Sequence, residues 1–295
     1  MKTLIRADSS STIGLGHIMR DLVLAQSVEG EVLFACQALS GSMIEKIPYE
    51  VKILQTNEAD ELIALIKSLH VNLLVIDHYG IDARFEREVK EATGVRILSF
   101  DDTYQTHHCD ILLNHNICAD ATRYETLVPK GCELRCGSAY TLIRDEFKKE
   151  KKSKREKIYD VLIAMGGSDA GNLTSEILKT LPESLHVSIL TTTANAHLSE
   201  LQNYVTSKPN IALHVNSNEV AKTMNQSALA ILTPSVIVNE ALFMELPFIA
   251  IKIADNQDDM VVYLKEKGYA VLSSFNPEVL KESVRESLKG LKLCH

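Results

Sequence analysis

The chain has 295 residues, 45% of them hydrophobic and 24% charged, and a formal net charge of −8. That length exceeds one ordinary domain and points to two, with enough apolar residues for real cores. The acidic balance speaks against a nucleic-acid partner, no apolar run approaches the length of a membrane span, and the start lacks the apolar core of a signal peptide, so a cytoplasmic protein is expected.

In chain order, short apolar runs alternate with amphipathic stretches. Strands are predicted over Lys2–Ala7, Glu31–Cys36, Val51–Leu54, Asn72–Asp77, Val95–Phe100 and Asp110–Asn114. Helices are predicted between them over His17–Val28, Ser42–Ile47, Glu58–Leu69 and Arg84–Ala92. The stretch Asn72–Asp77 is nearly all apolar until its last residue, which suits a buried parallel strand whose polar end opens onto a site. Phe147–Lys157 is almost entirely charged and reads as a solvated linker or exposed helix. The domains are therefore drawn as 1–147 and 158–295, joined by 148–157. The second half repeats the alternation, with strands at Tyr159–Ala164, His186–Thr191, Ile211–His214, Leu229–Leu232, Phe248–Ile251 and Ala270–Leu272. Its helices are expected over Gly171–Leu181, Leu198–Thr206, Asn218–Gln226, Val236–Met244, Gln257–Lys267 and Pro277–Gly290, the last capped by Asn276. Strand–helix alternation in both halves predicts an α/β protein of two Rossmann-like, doubly wound domains facing across a cleft.

Chemistry is expected in three loops. In the first, Asp8–His17, Gly14 and Gly16 let a ligand approach the backbone, since a Cβ there would clash. His17 sits where the helix starts, a place that biases an imidazole toward its neutral, proton-accepting form. It is the candidate catalytic base toward a phosphate-bearing ligand, with Asp8 at the strand end placed to orient it. The second loop runs from Met165 to Asn172, with Gly166, Gly167 and Ser168 offering amides to phosphate. Neither loop fits the dinucleotide fingerprint, and there is no Walker lysine. The third is Thr233–Ala241, where Ser235 is expected to cap a helix whose first amides, near Ser235–Val236, hold phosphate. Asn239 and Glu240 follow about one turn in, where the Glu240 carboxylate can accept from vicinal hydroxyls such as a ribose's; an ordinary capped helix with a solvated Glu240 is the alternative. Arg144 either faces the cleft or pairs on the surface with Asp145 or Glu146. His107-His108-Cys109 and Cys132-x-x-x-Cys136 lack the spacing of a zinc knuckle and read as buried thiols and satisfied histidines. Asp101-Asp102 reads as a turn cap, and no metal or cofactor is expected. The six cysteines read as reduced thiols, and Cys294-His295 as a disordered terminus.

These pieces together resemble the UDP-sugar hydrolases of pseudaminic acid biosynthesis, the PseG family, within the GT-B superfamily that includes MurG-type glycosyltransferases. The matching segments are D-S-S-S-T-I-G-L-G-H-I-M-R-D at 8–21, I-D-H-Y-G at 76–80, L-S-F-D-D at 98–102 and H-H-C-D-I-L-L-N at 107–114. L-I-R-D-E-F at 142–147, M-G-G-S-D at 165–169, V-N-E-A-L at 238–242 and N-Q-D at 256–258 continue the series through the second half of the chain. The resemblance implies hydrolysis of UDP-2,4-diacetamido-2,4,6-trideoxy-β-L-altropyranose, with His17 activating water, Tyr79 and Asn256 (with its neighbour Gln257) close to the sugar, and the C-terminal half holding UDP. The implied partner is that small-molecule UDP-sugar; no nucleic-acid or membrane partner is expected, and the protein is expected to be a monomer. A GT-B glycosyltransferase and a non-catalytic nucleotide-sugar-binding protein are the competing readings.

Overall fold

The computed structural model describes residues 1–10, 13 and 16–292, with side chains to residue 290. Cys294 and His295 lie outside the described residues. The chain divides into two compact units, Met1–Leu142 and Ile143–His295.

The first unit is built on β1 (Lys2–Ala7), β2 (Glu31–Gln37), β3 (Glu50–Leu54), β4 (Leu73–Asp77), β5 (Arg96–Phe100), β6 (Ile111–Asn114) and β7 (Glu133–Cys136). They form a parallel sheet in the order β3-β2-β1-β4-β5-β6-β7. Helix α1 (Gly16–Ser27) covers one face, and α2 (Ala59–Leu69) with α3 (Ala83–Thr93) covers the other. The apolar runs of the strands follow from this double covering: Leu4, Leu33, Leu74 and Ile97 pack with Leu62, Ile66 and Val89 on one side. Ile5, Phe34, Val75 and Leu98 pack with Ile18, Leu24 and Ala25 on the other. Strand β7 is absent from the sequence expectation. Its E-L-R-C sequence is half polar and it sits at the sheet edge, where a strand needs little apolar signal. The helix expected at Ser42–Ile47 is a single 3₁₀ turn, Ile44–Lys46.

The second unit opens with α4 (Asp145–Glu150) and carries β8 (Tyr159–Ala164), α5 (Leu173–Thr180), β9 (Val187–Thr191), α6 (Leu198–Thr206), β10 (Ile211–Val215) and α7 (Val220–Asn225). It continues through β11 (Ser227–Leu232), α8 (Val236–Phe243), β12 (Phe248–Ile251), α9 (Asp258–Glu266), β13 (Ala270–Leu272) and α10 (Pro277–Lys292). Its parallel sheet runs β10-β9-β8-β11-β12-β13. Asn276 caps α10 as expected, its side chain accepting from the amides of Glu278 and Val279 at 3.1 Å each. The charged stretch is solvated, residues 148, 149 and 151–157 being exposed, and it groups with the second unit. Phe147 is fully buried, Lys151 binds the Phe243 carbonyl and the Glu245 carboxylate (2.9 Å), and the Asn225 amide reaches Glu150 and Ser153.

Candidate active site

In both sheets the strand order reverses beside the first strand, and open α/β sheets bind ligands at the carboxyl ends flanking that reversal. In the first unit these are the ends of β1 and β4, where Ala7 pairs with Asp77. Side-chain alternation then decides which acid meets α1. Ala7 and Val75 point to the α1 face, so Asp77, two residues beyond Val75, points there too. Asp8 shares the parity of Leu4 and Arg6 and points to the other face.

His17, on the first turn of α1, is nearly buried and lies over Asp77. Its Nδ1 is 2.6 Å from a carboxylate oxygen of Asp77 and 3.1 Å from the Asp77 carbonyl oxygen. Both neighbours are acceptors, so Nδ1 carries the hydrogen and Nε2 is the basic nitrogen. The Tyr79 ring meets the imidazole edge-on, with centroids 4.7 Å apart, and is itself 65% exposed. Its hydroxyl donates to Asp102 at 2.8 Å. Arg20, one turn after His17, places Nε and one terminal nitrogen on the two oxygens of Asp77 at 2.6 Å each.

The electrostatics depart from the expectation that the helix start keeps His17 neutral. Burial pushes its pKa down, but the Asp77 hydrogen bond and charge outweigh this, and the net shift is upward from 6.5. Burial works to raise Asp77, yet Arg20 and then His17 hold it well below the usual carboxylate range. Asp21 is fully buried with neither carboxylate oxygen partnered, and burial together with the Asp77 charge pushes its pKa far above the usual carboxylate range. His115 is likewise pushed down to about 4 by burial and the Arg20 charge.

Asp8 does not orient His17. Its carboxylate is buried and taken by Arg6 at 2.6 and 2.8 Å, by the Gln37 amide at 2.7 Å and by His78 Nε2 at 3.1 Å. The other His78 nitrogen accepts from the Gly80 amide at 2.9 Å, so Asp8 sets the turn that carries Tyr79. At Gly16 an added Cβ would meet nothing within 4 Å, so the chain itself does not demand glycine there. Gly14 lies outside the described residues.

In the second unit the corresponding strand ends surround a cavity of about 210 Å³. Gly166 and Gly167 after β8, Thr191 and Thr192 at the end of β9, and Asn216 and Ser217 after β10 line it, together with Arg144 and Ile237. Gly166 has φ +87°, and a Cβ on Gly167 would press on the Thr192 side chain at 3.2 Å. Ser168 is exposed but not part of this wall. The donors at the start of α5 are occupied: Asp169 accepts from the amides of Leu173 and Thr174 at 2.8 and 3.0 Å. Helix α8 differs. Ser235 holds the N-cap position, but contrary to expectation its hydroxyl makes no capping bond; Val236 beside it is 40% exposed. Glu240 is neither solvated nor open. Arg144 donates to its two oxygens at 2.7 and 3.0 Å while also pairing with Glu146 at 2.7 Å. Burial still leaves the Glu240 pKa raised. Asn239 is buried with no partner for its amide atoms. Asn256 is exposed, whereas Gln257 is buried and bonded internally, accepting from the Ile253 amide at 2.9 Å and donating to Thr233 at 2.7 Å.

No protein-family model matches the chain. The UDP-2,4-diacetamido-2,4,6-trideoxy-beta-L-altropyranose hydrolase of Campylobacter jejuni is 49% identical over 92% of this chain and 98% of its own. The chain belongs to that hydrolase's family. Among solved structures, MurG of Acinetobacter baumannii (TM-score 0.61, 13% identity, 99% of this chain and 94% of that one) shares the fold. So does the Anabaena protein HepE in complex with UDP-glucose (TM-score 0.63, 12% identity, 99% and 91% covered). The α/β fold of this hydrolase-family chain is thus of the GT-B type.

In this member of the hydrolase family, the structure brings His17 and Tyr79 together, and separately Arg144 with Gly166, Gly167 and, through its carboxylate, Glu240. Sequence reasoning missed Asp77 and Arg20 as the partners of His17, although the polar end of the β4 run was the signal for the first. It also missed Thr191, Thr192, Asn216 and Ser217, which are polar residues at strand ends and legible by that rule. His107 and Cys109 have internal partners, Glu86 at 2.8 Å and Cys132 at 3.7 Å. No helix of the described residues is long and apolar enough to cross a membrane.

Proposed function

We propose that the chain hydrolyses UDP-2,4-diacetamido-2,4,6-trideoxy-β-L-altropyranose to UDP and the free sugar, with His17 as general base. The family membership supports the substrate; one observation carries the catalytic assignment. Asp77 takes the Nδ1 hydrogen of His17 and leaves Nε2 as the basic nitrogen. Nε2 accepts a proton from water as the water oxygen attacks the anomeric carbon on the face opposite UDP. The bond from that carbon to the UDP oxygen breaks, UDP leaves with the electron pair, and the configuration inverts. Diphosphate is a good leaving group, so no strong acid is required; fixed amides at the developing charge suffice.

The second unit supplies those amides. The uncapped start of α8 at Ser235–Val236 and the loop Gly166–Ser168 are its two candidates, while Arg144 on the cavity wall is held by Glu240 and Glu146. The occupied start of α5 favours α8 as the helix that faces diphosphate. Tyr79 and Asn256, both exposed, are assigned to the sugar. Gln257, whose amide is engaged at both ends, is assigned to holding the Asn256 turn against Thr233 rather than to the ligand. This chemistry needs no metal.

The test is an incubation with the UDP-sugar alone, with and without chelator, followed by NMR. The expected result is equimolar UDP and free sugar, first seen as the inverted anomer, at a rate the chelator leaves unchanged. Turnover only with an added acceptor would make the chain a transferase, and loss with chelator would overturn the metal-free mechanism.

A further inference from the structure

Arg20 stands outside the base-and-water chemistry, yet its contacts reach both groups assigned to the sugar side of the first unit. Two of its nitrogens occupy the two oxygens of Asp77, at 2.6 Å each, and Asp77 holds His17. The remaining terminal nitrogen donates to Asp102 at 3.1 Å. Asp102 accepts from the Tyr79 hydroxyl at 2.8 Å, and the Tyr79 ring closes the circuit against His17. The guanidinium is nearly buried and lies 5.0 Å from the Phe100 ring centroid.

We propose that Arg20 is a positioning residue for the hydrolysis, locking the base His17 and the sugar-facing Tyr79 into one hydrogen-bonded unit through Asp77 and Asp102. The inference rests on His17 being the base. A planar fork is what the geometry needs, because two parallel bonds to one carboxylate and a third to another fix three side chains at once; an ammonium acts as a point charge. Stability is a weak alternative reason for the arrangement, since a buried ion pair is commonly no better than apolar packing of the same volume.

Arg20 also sets the charge that His17 feels. The groups facing this cluster are Asp77 at the end of β4, Tyr79 in the next turn, Asp102 after β5, His115 after β6 and Asp21 on α1. Burial and the Asp77 charge push the Asp21 pKa far up, and burial with the Arg20 charge pushes that of His115 down to about 4, so both lean toward their uncharged forms beside Asp77, Asp102 and Arg20. The guanidinium opposes the upward pull of Asp77 on His17. Removing its charge therefore sends the His17 titration to higher pH, whereas lysine keeps the charge and loses the fork.

The experiment measures the His17 imidazole resonance, identified by its absence in His17→Asn, and kcat/KM against pH in the wild type, Arg20→Met and Arg20→Lys. It adds Tyr79→Phe alone and combined with Arg20→Lys. In Arg20→Met, the resonance and the acid limb of kcat/KM are expected to move together to higher pH. In Arg20→Lys the limb stays near the wild type. Its loss of kcat and that of Tyr79→Phe should overlap rather than multiply, with a coupling on the order of tenfold. A cooperative melting transition and a wild-type near-UV circular dichroism spectrum report that the first unit, which carries these substitutions, is folded in each variant. An unmoved resonance in Arg20→Met, or losses that multiply in the double variant, would overturn the proposal. A resonance that moves while the acid limb stays would leave Arg20 coupled to His17 and instead overturn His17 as the base.

Discussion

Replacing His17 with Asn is expected to lower kcat by about 10²- to 10⁴-fold, the usual worth of a positioned general base. Asparagine preserves polarity and approximate size at the start of α1 but has no basic nitrogen. UDP affinity should stay within experimental error of the wild type, because the residues assigned to UDP lie in the second unit. The pH profile sharpens the expectation. A base must be neutral to act, and the His17 pKa is raised above 6.5, so the wild-type acid limb of kcat/KM lies above that value. In His17→Asn the residual activity should lose that limb. Stopped or coupled assays of UDP release across pH, with calorimetric UDP binding, measure both.

Asp77→Asn should come next in effect, with a fall in kcat on the order of 10²-fold as the base loses its oriented, charged partner. The substitution keeps the shape of the side chain. It removes the negative charge that holds His17 up and that receives the two bonds of Arg20. Since the Asp77 hydrogen bond and charge are what raise the His17 pKa, their loss moves the acid limb to lower pH, opposite to the shift expected for Arg20→Met. A second consequence is structural. Arg20 keeps Asp102 but loses the charge of its more buried partner, which weakens the pair. A lower melting temperature should therefore accompany the kinetic loss. A kinetic loss that persists well below that temperature, where circular dichroism shows the first unit folded, separates the two effects, and an acid limb that does not move down would refute the role given to Asp77.

Much of the fold was legible because parallel strands covered on both faces must be apolar along their whole length. Runs such as Leu73–Asp77 and Ser227–Leu232 are too short and too evenly apolar for an amphipathic helix or a half-exposed strand. The half-polar edge strand Glu133–Cys136 was not legible, and neither was the docking of the charged helix Asp145–Glu150. Its buried anchor is the single residue Phe147, its ion pairs are local, and the contact that ties it to the rest of the unit, Asn225 to Glu150, spans 75 residues. The site followed the same division. His17 is marked by its own loop, but the choice between Asp8 and Asp77 depends on which face of the sheet each strand-end acid meets, and that is fixed by register between strands 70 residues apart. The state of Glu240 was hidden for a similar reason, since the Arg144 that occupies it lies 96 residues away. Gln257 looked like a ligand contact beside Asn256, whereas its partner Thr233 closes the turn from within.

If water activated at His17 attacks the sugar carbon and not phosphorus, the oxygen it brings must end in the sugar. Hydrolysis of the UDP-sugar in ¹⁸O-enriched water, read by mass spectrometry of both products early in the reaction, decides the point. The label is expected at the anomeric oxygen of the released sugar, beyond what exchange of the free sugar introduces in a parallel control, and none in UDP. Label in the terminal phosphate of UDP would contradict attack at carbon and, with it, the role given to His17.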